Sequence, residues 1–228
     1  IDLYGLIKGN VPEEVKNKIH SAAPDPVYEL TEVYKQRMLA IGNTFLNQGR
    51  NLLSQNKFFE AENNFTLAKR GFYEASLPSR RCYEKTPFAV FSNRATTASH
   101  LQIWNLLRID TRYTLVIKPD HQKAYSQLVN IAEAFKANQL VDEFKEIEDK
   151  VQKQQVNSQD EWKMLSKRVI GLTSITAIAF AAKGILTEEK KNELIDIGIE
   201  DFYSVVNVKG DEYSPLPWLG PNDIEQRV

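Results

Sequence analysis

The chain has 228 residues, 42% of them hydrophobic and 26% charged, with a formal net charge of −1. This is ordinary globular composition, long enough for one or two domains with a sizeable core, and it supplies no bulk field to hold nucleic acid or an anionic membrane. Cys82 is the single cysteine, which excludes an intrachain disulfide and a cysteine-built metal site.

The sequence starts at Ile1 without a signal or targeting pattern, and we expect a piece of a longer cytoplasmic protein. In the first 26 residues, Val11-Pro12-Glu13-Glu14 reads as a helix start, and Pro24 and Pro26 separate that short helix from the main helical array. From Tyr28 to Ala75, apolar residues recur every three or four positions, which predicts helix with a turn at Gln55-Asn56-Lys57. Residues 76–87, SLPSRRCYEKTP, read as a loop with two prolines. Helices are then predicted from Phe88 to His100 and from Ile103 to Ile117, with Pro119-Asp120 as punctuation.

One helix is predicted from Gln122 to Ala137, followed by a partner whose stripe is Leu140, Val141, Phe144, Ile147 and Val151. The polar run QKQQVNSQ at 152–159 reads as a hinge. Residues 169–182, VIGLTSITAIAFAA, are shorter than the ~20 residues of a spanning helix and lie between Lys167 and Lys183, so we expect a helix buried in protein. A charged helix is expected next, from Thr187 to about Ile197, and the tail with SPLPWLGP reads as extended chain. No strand pattern of convincing length occurs.

Self-similarity runs through this helical pattern. Gly49, Leu52, Phe58, Ala61, Phe65 and Ala68 form a first copy of a helix-pair signature in which small residues sit where helices cross. Ala95, Ala98, Trp104, Leu107, Thr111, Thr114 and Pro119 form a second, and Val129, Ala132 and Val141 a softer third. Ala95 and Val129 are 34 residues apart, the tetratricopeptide period. Gly49 and Ala95 are 46 apart, and the twelve extra residues fall on the two-proline loop, where length costs little.

On these residues, with FSNRA at 91–95, KPDHQKAYSQL at 118–128 and QNKFFEAENNFTLA at 55–68, about half of the chain resembles tetratricopeptide-repeat domains of the co-chaperone kind. The resemblance implies an all-α fold: a right-handed superhelical stack of about three helix pairs with added N-terminal and C-terminal capping helices. The corresponding divisions are an N-terminal extension (1–26), the repeat domain (27–157) and a cap with tail (158–228).

The resemblance also implies a concave groove that takes an extended peptide or a C-terminal tail, in that family a heat-shock chaperone tail whose carboxylates are held by cationic and amide side chains. Asn93 matches the family's second-repeat asparagine and Lys123 its third-repeat lysine. Gln127 stands where the family prefers arginine, and Leu46 and Arg50 stand where it has lysine and asparagine. Each lost charged bond weakens such a clamp by about 1.5–3 kcal/mol. The expected role is therefore a protein-binding or scaffold module, without cofactor, bound metal, nucleic acid or membrane. The alternative is a structural module of a larger protein whose groove is filled by its own tail or a neighbouring domain.

Catalytic signals are missing from the sequence. His20, His100 and His121 lie far apart, and no phosphate-binding loop, nucleophile elbow or zinc-protease motif occurs, so we expect no enzyme. Cys82 beside Arg80, Arg81 and Lys85 reads as a plain loop cysteine, and the formal sequon Asn64-Phe65-Thr66 is discounted because Phe65 is assigned to the core.

Overall fold

A computed structural model describes residues 26–76 and 86–196, and within them every regular element is an α-helix. Two long helices come first, α1 (Pro26–Ser54) and α2 (Phe58–Ser76). Proline at the first position of α1 suits a helix start, because its missing N–H would have no partner there. On α2, Ala61, Phe65, Ala68, Phe72 and Ala75 form a stripe at helical spacing, and all five are buried.

The stripe of α2 meets α1 at two close crossings. A Cβ at Gly49 would lie 2.6 Å from the Phe65 ring, so the small residue the sequence pointed to does sit at a contact. The second crossing is backbone against backbone. A Cβ at Gly71 would lie 2.9 Å from the Gly42 nitrogen and 3.0 Å from its Cα, so the two backbones touch. Ala61 is fully buried and Ala95 nearly so.

The next hairpin is α3 (Phe88–His100) and α4 (Trp104–Ile117). Helix α3 packs on α2, and Val90 joins Leu46, Phe65 and Phe72 in one apolar cluster. The larger cluster begins one residue later, at Phe91, and runs through α4 to the end of the described chain. A polar chain crosses between the helices: Thr66 donates to Glu62 and accepts from Arg94, which also donates to Asp110 on α4.

The third first-helix differs from its expectation. In place of one helix over 122–137 there are two pieces, α5 (Gln122–Tyr125) and α6 (Leu128–Ala134), with the break at Ser126-Gln127. The amides of Ser126 and Gln127 reach the carbonyls of Gln122 and Ala124 only at 3.4 Å. The partner α7 (Asn138–Gln152) buries Leu140, Phe144, Ile147 and Val151, while Val141 is half-buried.

One turn joins all three hairpins. The Lys57, Ile103 and Ala137 amides donate to the carbonyls five residues back, at Leu52, Ala98 and Ala132, over 3.0, 2.9 and 2.8 Å. The residue before each donor is left-handed: Asn56, Gln102 and Lys136, with φ of 58°, 58° and 57°. This is the six-to-one closure of a Schellman turn. The three residues are 46 and then 34 apart, in the same register as Gly49, Ala95 and Val129.

Beyond the polar hinge, α8 (Gln159–Leu172) starts on a capping box. Ser158 Oγ accepts from the Glu161 amide, and the Glu161 carboxylate accepts from the Ser158 amide. The apolar run expected as one helix over 169–182 is instead the end of α8 and a separate α9 (Ile175–Ala182), bent by 64°. Ser174 caps α9 by accepting from the Ala177 amide, and Thr173 bonds back to Val169, which together end one helix and begin another. Helix α9 buries Ala177, Ile178 and Ala181 and leaves Ile175 exposed. No single helix among the described residues is long and apolar enough to cross a membrane.

Two arginines of α4 fasten this region. Arg108 donates to the Thr173 carbonyl at 2.9 Å and Arg112 to the Ile170 carbonyl at 3.2 Å, both at the carbonyl-rich end of α8. Burial pushes the Arg108 guanidinium down to about 10, so it stays charged at neutral pH. Residues 188–196 form the described part of a last helix, α10. The short helix near Val11, the two-proline loop with Cys82 and the tail with SPLPWLGP lie outside the described residues, apart from Ser76, Thr86 and Pro87 at the edges of that loop.

Candidate functional site

The first helix of each hairpin carries the residues singled out from the sequence, and their environments differ. Leu46 is 4% exposed and packs with Phe65 and Val90, so it is a core residue and offers nothing to a ligand. The resemblance aligned it with a lysine, but a leucine at that point of α1 gains more by burial against α2 and α3. Arg50, one turn on, is exposed, and its nearest polar partner is Asn47 Oδ1 at 3.5 Å.

Asn93 on α3 is half-buried. Its carbonyl accepts from Thr97, and its side-chain amide makes no hydrogen bond to a described residue. Lys123 on α5 is exposed and forms no ion pair among the described residues. Gln127 sits at the break between α5 and α6, half-buried, with its Oε1 fully enclosed and without a hydrogen-bond partner.

A contact that the sequence did not suggest connects α3 to the start of α5. Ser92 Oγ lies 2.7 Å from His121 Nε2, although the two residues are 29 apart. The Phe88 ring packs beside the imidazole with centroids 5.1 Å apart, and Lys118 Nζ stands 5.6 Å from the same ring. Partial burial, then Lys118 and Lys123, hold the His121 pKa below its usual value against the opposing charge of Asp120. This joint brings the stretch containing Asn93 against the stretch containing Lys123. The sequence offered a faint cue in Phe88 and Ser92, one turn apart on a helix, but none for the histidine.

Enclosed space lies elsewhere. A cleft of about 590 Å³ opens between α7, α8 and α10, lined by Gln139, Asp142, Glu143, Glu146, Arg168 and Lys191. Its inner charges already satisfy one another. Glu143 accepts from Arg168 at 2.6 Å and pairs with Lys191 at 3.0 Å, and Lys191 pairs with Glu188 at 2.6 Å. A neighbouring hollow of about 450 Å³ is walled by Val156, Met164 and Leu165 with charged rims. We read the larger one as the joint of α7, α8 and α10, because Glu143, Arg168 and Lys191 inside it bind those helices to one another.

Among the described residues no three His, Cys, Asp or Glu side chains are grouped to hold a metal ion. On or beside the first helices of the three hairpins stand amides at 93 and 127, cations at 50 and 123, and at 121 an imidazole whose pKa is held below its usual value. No family model matches the sequence, and no curated protein or solved structure matches it either.

Proposed function

We propose that this chain is a protein-interaction module of the tetratricopeptide kind, taking an extended peptide or a C-terminal tail along the first helices of three stacked hairpins. The observation that carries the reading is the repeated left-handed turn at Asn56, Gln102 and Lys136, which keeps the 34-residue period between the second and third hairpins. The same turn also ends α7 and α9, at Gln154 and Gly184, so what supports the repeat is its constant seven-residue offset from Gly49, Ala95 and Val129 and not the turn by itself. Stacking such units leaves the first helices side by side, and polar residues with unused hydrogen-bonding groups accumulate there. The role is non-catalytic and located in the cytoplasm. Arg50, Asn93, Lys123 and Gln127 contribute to the binding face, and Leu46 does not.

The tail-binding form of this reading is tested by calorimetric titration with an acidic peptide ending in a free carboxylate. We expect measurable heat and a loss of affinity of about tenfold with Lys123→Ala, as suits one charge-assisted bond. No heat at millimolar peptide overturns the carboxylate clamp.

A further inference from the structure

Among the described helices, α9 alone carries no charged residue. It packs on α7 and α8 and buries Ala177, Ile178 and Ala181. The opposite face, Ile175, Thr176, Ala179 and Ala182, is open to water, with Ile175 56% exposed. Helix α7, by contrast, turns Asp142, Lys145, Glu146 and Asp149 outward. A helix that is apolar on every side is one that is covered on every side. In a stack of helix hairpins the terminal unit needs a polar outer face, and α9 does not supply one.

The turn after α9 extends this face. The Ile185 amide donates to the Phe180 carbonyl at 3.1 Å, and the Leu186 amide donates to Gln139 Oε1 on α7 at 2.8 Å. The chain is thus fastened with Leu186 buried and Ile185 held 54% exposed. Charges of both signs surround the patch. Lys190 pairs with Glu193 and Lys191 with Glu188, whereas Lys183 and Glu189 are exposed and form no ion pair among the described residues. An uncharged centre meets its own copy without repulsion. A rim with one spare cation and one spare anion complements itself after a half rotation, because each then faces the other's counterpart.

We propose that the outer face of α9, together with Ile185, joins two copies of this chain across a two-fold axis, with Lys183 of each copy meeting Glu189 of the other. The contact goes beyond the peptide-binding reading above and does not depend on it. Ala179 and Ala182 at the centre let the two helices approach closely. One short helix and its turn offer a small area, so the association is weak and depends on concentration. Two chains joined in this way carry two first-helix faces, and a ligand with two tails would gain from both.

Sedimentation equilibrium of the whole chain from ~1 to ~100 µM tests the contact. We expect the mean mass to rise with concentration from one chain to two. Ile175→Glu and Ile185→Glu alter exposed side chains, so each should leave helical circular dichroism unchanged while weakening the dimer by about tenfold or more. Lys183→Glu should weaken it too, and adding Glu189→Lys to the same chain should restore it, which a local effect of either residue would not do. A chain that stays single at ~100 µM overturns the proposal. So does a single chain that co-sediments with vesicles of phosphatidylcholine and phosphatidylserine, since lipid then covers the face. So does a single chain whose thermal midpoint falls with Ile175→Glu and Ile185→Glu, since the face is then covered within one molecule. A dimer that ignores these substitutions uses a different surface and equally overturns the proposal.

Discussion

Arg94 on α3 donates from Nε and Nη2 to the two carboxylate oxygens of Asp110 on α4, at 2.6 and 2.8 Å, and neither side chain is exposed. A fork meeting a carboxylate in this way fixes both distance and angle between two helices. The Arg94 Nη1 bond to Thr66 extends the grip to α2, so three helices of consecutive hairpins share one polar junction. Its net effect on stability is smaller than its geometry suggests, because both charges have left water.

Removing one member of this pair should therefore cost more than removing both. Asp110→Ala removes the bidentate carboxylate from a buried guanidinium and should lower the unfolding free energy by about 3–5 kcal/mol. The double change Arg94→Met with Asp110→Leu fills the space with apolar atoms and should lie much closer to the unaltered protein. Urea denaturation followed by circular dichroism distinguishes the two. A single variant no less stable than the double would mean that the junction is more open to water than its burial indicates.

The contact of α1 with α2 makes a second prediction, which concerns volume and not charge. Gly71→Ala drives a methyl group into the Gly42 backbone and should destabilise by about 1–3 kcal/mol, since neither backbone can rotate away as a side chain would. Gly184→Ala is the control. Gly184 has φ of 71° with open space around the Cβ position, so only the left-handed conformation is penalised, by about 1 kcal/mol. If Gly71→Ala proves neutral in the same denaturation assay, the two helices do not cross in contact there.

Much of this arrangement was readable in the sequence because helix faces repeat locally. The stripe Ala61, Phe65, Ala68 and the stripe Leu140, Phe144, Ile147, Val151 each declare a buried side without knowledge of the partner. The 34-residue spacing of Ala95 and Val129 was readable for the same reason. What escaped depends on two distant stretches meeting, or on backbone choices that carry no side-chain mark. Gln102, Lys136 and Gln154 adopt left-handed turns usually given to Gly or Asn, so nothing in their chemistry announces them. Gly42 and Gly71 become a crossing only when both helices are in place. In the candidate site, Asn93, Lys123 and Arg50 lie on helices where the sequence placed them and Gln127 falls at the break between α5 and α6, but Leu46 was assigned by resemblance when its apolar side chain already argued for the core. The apolar run at 169–182 looked continuous because hydropathy is blind to the cap that Ser174 provides.

His121 gives the protein a pH-dependent element. Its pKa is lowered in the folded state, so the native protein takes up this proton less readily than the unfolded chain does. Its contribution is fully present above the unfolded value of about 6.5 and is lost as pH falls from there through the lowered folded value. The groups facing it set the sign: burial beside Phe88 and Ser92, then Lys118 and Lys123, against Asp120. His121→Gln keeps a hydrogen-bonding group near Ser92 and removes the titration. Denaturation midpoints measured above and below that range should fall more for the unaltered chain than for the variant. Equal falls would assign the acid sensitivity to other groups.

The attachment of α8 and α9 to the hairpins can be separated from the stability of the hairpins themselves. Arg108 supplies a charged donor to Thr173 at the end of α8, and its other nitrogens are taken by Asn105 on its own helix. Arg108→Ala should remove about 1.5–3 kcal/mol of that attachment, the range for a hydrogen bond to a charged group. The loss should appear locally. In native-state hydrogen exchange, the amides of Ile178 and Lys183, which bond to Ser174 and Ala179, should lose protection, while those of α2 keep theirs. Arg108→Lys keeps the charge but not the fork that reaches both Asn105 and the Thr173 carbonyl, so it should restore only part of the protection. A fall in protection of the same size in α2 as in α9 would mean that cap and hairpins unfold as one unit, and the Arg108–Thr173 bond would then belong to the global fold.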